Sequence, residues 1–235
     1  FKTPNYFKTI EGFEGFESIA FNNDKFFVTI EAKDDDGMKS YLAWGEIDSN
    51  SLNMTIHKDS LKEIKTPIQV KNMTYESALI YKDIALFLYE ANGKNLQKDV
   101  FQQALSLKDF SISNIKFPNI EYRITDATRI DNDERFWVIN YFWPGDKKLL
   151  NPGKDNVPNR VEQGSSHFKS NQIERLIEFE MSAGEISISD TNPIQLFLES
   201  DESRNWEAIA RLGNRGLLIA TDKHPRMILG YVQFK

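Results

Sequence analysis

Short apolar runs and compact polar turns alternate along the whole chain, in pieces the size of a hairpin. Four times a mixed segment built round an acidic residue leads into a turn and then a strongly apolar run. The mixed segments are Phe16-Glu17-Ser18-Ile19-Ala20-Phe21, Tyr75-Glu76-Ser77-Ala78-Leu79-Ile80, Thr125-Asp126-Ala127-Thr128-Arg129-Ile130 and Trp206-Glu207-Ala208-Ile209-Ala210-Arg211. Turn residues follow at Asn22-Asn23-Asp24, Lys82-Asp83, Asp131-Asn132-Asp133 and Gly213-Asn214-Arg215-Gly216. The apolar runs are Phe26 to Ile30, Ile84 to Leu88, Phe136 to Ile139 and Leu217 to Ala220. Strand, turn and strand at this length predict four β-hairpins.

Each hairpin is followed by a third apolar segment: Tyr41 to Trp44, Val100 to Ala104, Ile173 to Ile177 and Ile228 to Val232. A proline introduces a further short alternation ahead of each hairpin. Pro4, Pro67, Pro118 and Pro193 lead into Tyr6 to Ile10, Ile68 to Val70, Ile120 to Ile124 and Ile194 to Leu198. Proline brings no backbone donor and suits the start of an edge strand. The pattern therefore predicts an all-β chain: a β-propeller of four repeats, each of four antiparallel strands, in one domain over residues 1–235. A five- or six-bladed propeller is the alternative. The last repeat stops after its third strand, so the N-terminal strand is expected to complete it and close the ring, leaving no exposed edge. A segment from about 144 to 172, rich in Pro, Gly, Asn and Lys, reads as an insertion in the third repeat. It is either a lid over a site or a surface excursion.

A second polar position lies fourteen residues after the first: Glu31 after Glu17, Glu90 after Glu76 and Asn140 after Asp126, with Asp222 one residue late after Glu207. Positions equidistant from a turn face each other across a hairpin. The spacing thus places carboxylate opposite carboxylate, an arrangement that destabilises a sheet. Innermost strands converge on a propeller axis, so the eight groups are expected at one channel mouth. Carboxylates gathered there take up protons, meet Arg or Lys, or bind a cation. Arg123, Arg129, Arg204 and Arg211 are the candidate countercharges. Oxygen donors without cysteine point to a hard ion, so Glu17, Glu31, Glu76, Glu90, Asp126, Asn140, Glu207 and Asp222 are candidate ligands for Ca²⁺. A water-filled acidic funnel and a set of buried salt bridges are the competing readings. Lys223, His224 and Arg226 leave the same end of the fourth hairpin and are candidates to assist a substrate.

Composition narrows this picture. With 235 residues the chain can bury a large core, and with no cysteine it has neither disulfides nor thiol nucleophiles. A net charge of -6 argues against a nucleic-acid partner. No apolar run is long enough to span a bilayer. The first residue is Phe1, which agrees with a removed leader or a trimmed chain.

Two stretches carry a family resemblance. Trp206-Glu207-Ala208-Ile209, followed by Gly216 to Lys223, resembles the repeat of the phytase-like esterase propellers. Glu14 to Ala20, followed by Val28 to Glu31, echoes it, and gluconolactonase-like propellers begin their inner strands in a similar way. The resemblance covers the two inner strands of each repeat. It implies a secreted or periplasmic propeller, in some members a metal-dependent hydrolase. The expectation is an exported small-molecule-binding propeller with a divalent cation at the channel mouth. If it is an enzyme, the reaction expected is metal-assisted hydrolysis of an ester, lactone or phosphate. The alternative is a non-catalytic scaffold that binds a protein or a glycan.

Overall fold

A computed structural model describes residues 1–157, 166–167, 170–198, 202–223 and 225–234. The chain is all-β, with two single-turn helices and a short 3-10 turn among the described residues. It divides into two compact units. One comprises Phe1–Glu90 with Phe101–Asn114, the other Ala91–Val100 with Ile115–Lys235.

The first unit opens with α1 (Tyr6–Thr9). β1 (Phe13–Asn22), β2 (Lys25–Asp34) and β3 (Gly37–Ile47) follow as an antiparallel meander, and β3 also carries the short strands β4 (Met54–Ile56) and β5 (Lys62–Ile64). Asn22 pairs with Lys25, so the first hairpin turns in two residues, with Asn23 at φ 55. Asparagine tolerates this left-handed conformation, which such tight turns require. A second meander contains β6 (Tyr75–Tyr81), β7 (Ile84–Tyr89) and β8 (Val100–Ser106), flanked by β9 (Ile112–Phe117). Tyr81 pairs with Ile84, again a two-residue turn. The apolar face of β2, carrying Phe26, Val28 and Ile30, packs with Ala43 and Ile56 into one core cluster.

The second unit contains β10 (Arg123–Ala127) and β11 (Arg135–Phe142), then a 3-10 turn (Pro144–Asp146) and α2 (Lys147–Leu150). β12 (Ile173–Ser182), β13 (Glu185–Ile188) and β14 (Ile194–Gln195) complete this sheet, and Glu185 also pairs in parallel with Lys116 at the end of β9. A separate three-stranded sheet is made by β15 (Trp206–Arg211), β16 (Gly216–Thr221) and β17 (Leu229–Gln233). One face of that sheet packs Ile209, Leu217 and Ile219 with Trp137, Ile139 and Leu176 of the neighbouring sheet.

All four predicted hairpins and all four third strands are present. The proline-led strands are not, apart from the two residues of β14. Residues 68–70 form no strand, and β10 starts only at Arg123. The outer strands come instead from β4, β5, β9 and β13. The N-terminal strand expected to close the ring is corrected as well. Tyr6–Thr9 is a helical turn, and Lys2 bridges Thr55 of β4. The reason is burial at helical spacing: Tyr6 and Ile10, four residues apart, both enter the core beside Phe26 and Val28.

Candidate functional site

Each hairpin carries its acidic residue at a break in the ladder. The register shifts between Phe16 and Ser18, between Tyr75 and Ser77, between Ile124 and Ala127, and between Trp206 and Ala208. Glu17, Glu76, Asp126 and Glu207 thus lie at β-bulges, where an extra residue re-aims its side chain. The predicted cross-strand carboxylate pairs do not form. Glu31 faces Gly15, and Asn140 faces Ile124. Glu90 lies just past β7 and donates its backbone N–H to Thr74 O (2.9 Å). Asp222 lies just past β16 and donates likewise to Asn205 O (3.1 Å). In the first two hairpins a two-residue turn and a one-residue bulge together set the register, so the partner slips by two.

In the first unit the structure brings together Glu14, Glu17, Glu31 and Thr74. Glu31 is buried, and its Oε2 accepts a hydrogen bond from Thr74 Oγ1 (2.9 Å). Burial pushes the Glu31 carboxyl up to about 8; the Thr74 hydroxyl opposes this, while the hydrogen-bonded Glu14 and the nearby Glu17 charge add to it. Glu31 therefore holds a proton at neutral pH. The other two predicted positions, Glu76 and Glu90, differ in burial: Glu76 is half-buried and Glu90 fully buried.

In the second unit Asp126 and Asn140 are committed to the fold. Asp126 Oδ2 accepts from the backbone N–H of Ile209 and Oδ1 from that of Ala127, both at 2.8 Å. Burial pushes Asp126 up to about 7 against these two bonds. Asn140 Nδ2 donates to the carbonyls of Glu121 and Arg123, and its Oδ1 accepts from Arg175 Nε (2.8 Å). Arg175 is fully buried and makes a two-pronged ion pair with Asp155 (2.7 and 3.1 Å). Glu207 and Asp222 are solvent-exposed. Desolvation of the Glu207 carboxyl, then the nearby Asp222 charge, move Glu207 upward, while Arg123, a hydrogen bond from Asn205 and Lys223 oppose this. Arg123 also meets Asp146 (3.8 Å), and Arg211 pairs with Asp131.

Among the described residues, no group of three or more His, Asp or Glu side chains is disposed to hold a metal ion. Asp126 and Asn140 are bonded internally, so these two oxygen donors are already taken up by the fold.

The second unit also contains a cleft of about 340 Å³. Gln172, Glu174, Glu202, Arg204 and Arg226 line it, together with Leu198, Pro225 and Ile228. Glu174 lies on β12, Arg204 just ahead of β15, and Pro225 to Ile228 on the approach to β17. Glu174 is the organiser. Its Oε1 accepts from the Arg204 backbone N–H (2.8 Å), and its Oε2 from Arg204 Nε (2.9 Å) and Trp206 Nε1 (2.7 Å). The Arg204 guanidinium also lies over the Trp206 ring, 5.1 Å from its centre. Arg204 is thus fixed in place before any ligand arrives. Beneath Glu174 lies His167, from the predicted insertion, buried rather than on a surface lid. Its Nε2 accepts the Glu174 backbone N–H (3.1 Å), and burial pulls its pKa down, so it is neutral at pH 7.

Of the three residues expected to assist a substrate, Arg226 lines this cleft. Lys223 is exposed near Glu207, and His224 lies outside the described residues. Glu174, Glu202 and Gln172 were not anticipated. The signal available was the charged pair Glu174-Arg175 between apolar Ile173 and Leu176-Ile177, which marks buried groups with assigned partners.

No known family profile matches the chain, and no curated protein matches it. Solved structures with some likeness include the catalytic domain of a GH62 α-L-arabinofuranosidase from Coprinopsis cinerea, at 9% identity and TM-score 0.38, covering 91% of this chain and 84% of that one. An α-L-arabinofuranosidase from Podospora anserina, in complex with cellotriose, has 10% identity and TM-score 0.45, with 94% of this chain and 64% of that one covered. Fructan 1-exohydrolase IIa from Cichorium intybus has 10% identity and TM-score 0.43 over 94% of this chain and 40% of that one. At these scores the likenesses settle neither the fold family nor the activity of this chain.

Proposed function

We propose that the protein is a glycan-binding module whose site is the cleft of the second unit, and that its hairpin-led sheets are the blades of a β-propeller. The observation that carries the reading is the lining. Two arginines and two glutamates cancel in formal charge, and Gln172 adds an amide. Leu198, Pro225 and Ile228 supply apolar surface beside them. An uncharged, polyhydroxylated ligand suits this mixture. Its hydroxyls meet planar donors and acceptors, and its C–H faces meet the apolar side chains. An anion or a cation finds no excess of opposite charge.

Binding without turnover is favoured by Glu174. Glycoside hydrolysis usually needs two carboxyl groups in acid and base or nucleophile roles. Both oxygens of Glu174 are held by Arg204 and Trp206, so this carboxylate serves the fold. Saturation-transfer NMR with neutral mono- and oligosaccharides tests the reading. Binding that Arg226→Ala weakens about tenfold supports it; a full panel of neutral sugars without binding removes it.

The finer terms read from the sequence are export, Ca²⁺ and hydrolysis of an ester, lactone or phosphate. Among the described residues no helix is long and apolar enough to cross a membrane. Calorimetric titration of Ca²⁺ into chelator-treated protein tests the cation. Heat that Glu17→Gln or Glu207→Gln abolishes would establish it, and absence of heat would remove it along with metal-assisted hydrolysis.

A further inference from the structure

Three residues that line the cleft donate their backbone hydrogen bonds to one short stretch of chain. β14 stops after two residues, so the edge of β12 beyond it has no ladder partner there. Leu196 N–H still donates to Glu174 O (2.9 Å). Past that point the side chains of Ser166, His167 and Ser170 take over. Leu198 N–H donates to Ser166 Oγ (3.2 Å), Glu174 N–H to His167 Nε2 (3.1 Å) and Gln172 N–H to Ser170 Oγ (3.2 Å). Buried backbone donors need partners, and Glu174 is fully buried. Two of these acceptors are hydroxyls, which do not titrate near neutral pH. The third is an imidazole nitrogen, which accepts only while it is unprotonated.

We propose that His167 is a positioning residue that makes the cleft acid-sensitive: its neutral ring holds the Glu174 backbone, and through Glu174 the Arg204 and Trp206 side chains, and protonation releases them. The inference rests on the cleft being the binding site. A proton on Nε2 sets two donors, the imidazole N–H and the Glu174 N–H, against each other at a residue only 3% exposed. With Nε2 accepting, the ring's one proton lies on Nδ1, which is buried without a hydrogen-bond partner among the described residues. The cation therefore gains no second bond in return. The charged groups that act on the ring are Glu174 and Arg175 of β12 and Arg204 ahead of β15. Glu174 favours the cation, but its carboxylate is already held by Arg204 and Trp206, and both arginines oppose a further positive charge. Burial opposes it most, so His167 titrates below its ordinary value. The contribution of the neutral ring is complete above the ordinary imidazole range and is lost as pH falls through the lowered value. One pH unit below the His167 midpoint about one molecule in eleven keeps the neutral ring, so affinity at the cleft falls about tenfold.

NMR of the ligand-free protein from pH 8 to 4.5 tests this, following the His167 ring, the exchange protection of the Glu174 amide and the Trp206 indole N–H together. The expected result is that the Glu174 amide loses protection and the indole resonance shifts at the midpoint of the His167 ring, while the amides of β2 in the first unit stay protected. In His167→Gln the side-chain oxygen can accept the same N–H without titrating, so the step at Glu174 should vanish. A Glu174 amide that stays protected through the His167 titration overturns the proposal. So does protection lost only together with that of β2, or a step that persists in His167→Gln. Should the variant fail to fold, the midpoints in the native protein decide alone. Cellobiose and maltotriose, titrated above the His167 midpoint and one unit below it, supply the binding readout: about a tenfold loss is expected in the native protein and none in His167→Gln, and a native affinity that does not change overturns the proposal. If neither sugar binds at any pH, the glycan reading fails, and the amide and indole resonances still decide the role of His167.

Discussion

Replacing Glu31 by glutamine is expected to flatten the pH dependence of stability between weakly acidic and weakly alkaline solution. In the native protein Glu31 is neutral, buried, and bonded to Thr74 and Glu14. In the unfolded chain it ionises like any glutamate. A carboxyl raised on folding contributes its full stability below its unfolded pKa and loses it as pH rises through the folded value. For Glu31 that window runs from 4.5 to about 8. At about 1.36 kcal/mol per unit, this displacement sets a ceiling of about 5 kcal/mol. Glu14 is exposed, so water reaches one side of the pair. That screening reduces the expected difference to roughly 2–4 kcal/mol. Urea midpoints measured from pH 4 to 9 supply the test, by the linear dependence of stability on denaturant. The Glu31→Gln variant should gain on the native protein steadily through the window, then run parallel above it. Curves that stay parallel throughout would show that Glu31 ionises normally in the folded state, and the reasoning about its burial would fail.

Other perturbations follow from equally local geometry. Asp155→Asn leaves the buried Arg175 guanidinium without its counter-ion and is expected to destabilise by about 3–5 kcal/mol; a urea midpoint within error of the native one would contradict the pairing. Tyr6→Phe removes a hydroxyl that is buried without a hydrogen bond among the described residues. It should leave the thermal midpoint unchanged or raise it, by up to about 1 kcal/mol in stability. A fall of that size would mean that the Tyr6 hydroxyl has a partner after all.

The hairpins were legible because each depends on features that are local in sequence: an apolar run, a turn and a second apolar run. Asn23-Asp24 and Lys82-Asp83 form tight turns where the polar residues pointed. The N-terminal segment was misread because Tyr6-Phe7-Lys8-Thr9-Ile10 satisfies a strand's alternation and a helix's four-residue spacing alike over so short a run. Only the core beneath it decides between them. The bulges left no mark in the hydrophobic pattern, since one extra residue at Glu17 or Asp126 changes the register but not the composition. An acidic residue recurring at the same point of all four hairpins was visible, but its meaning depended on that register. The cleft was hidden for another reason. Gln172, Arg204 and Arg226 are far apart in sequence, and tertiary folding alone brings them to one surface. Arg204 was identifiable as a countercharge, whereas its partner Glu174 lies in a strand that reads as core.

The central claim is that the second unit's cleft takes a neutral glycan through an arginine-lined, charge-balanced surface. Its most direct test is titration of neutral oligosaccharides into the native protein and into Arg226→Ala, followed by NMR of the Trp206 indole N–H that Glu174 holds. The account predicts a saturable shift of that resonance in the native protein, weakened about tenfold in the variant, as loss of one or two charge-assisted hydrogen bonds implies. A resonance that neutral sugars leave unmoved but phosphate or a dicarboxylate shifts would contradict it.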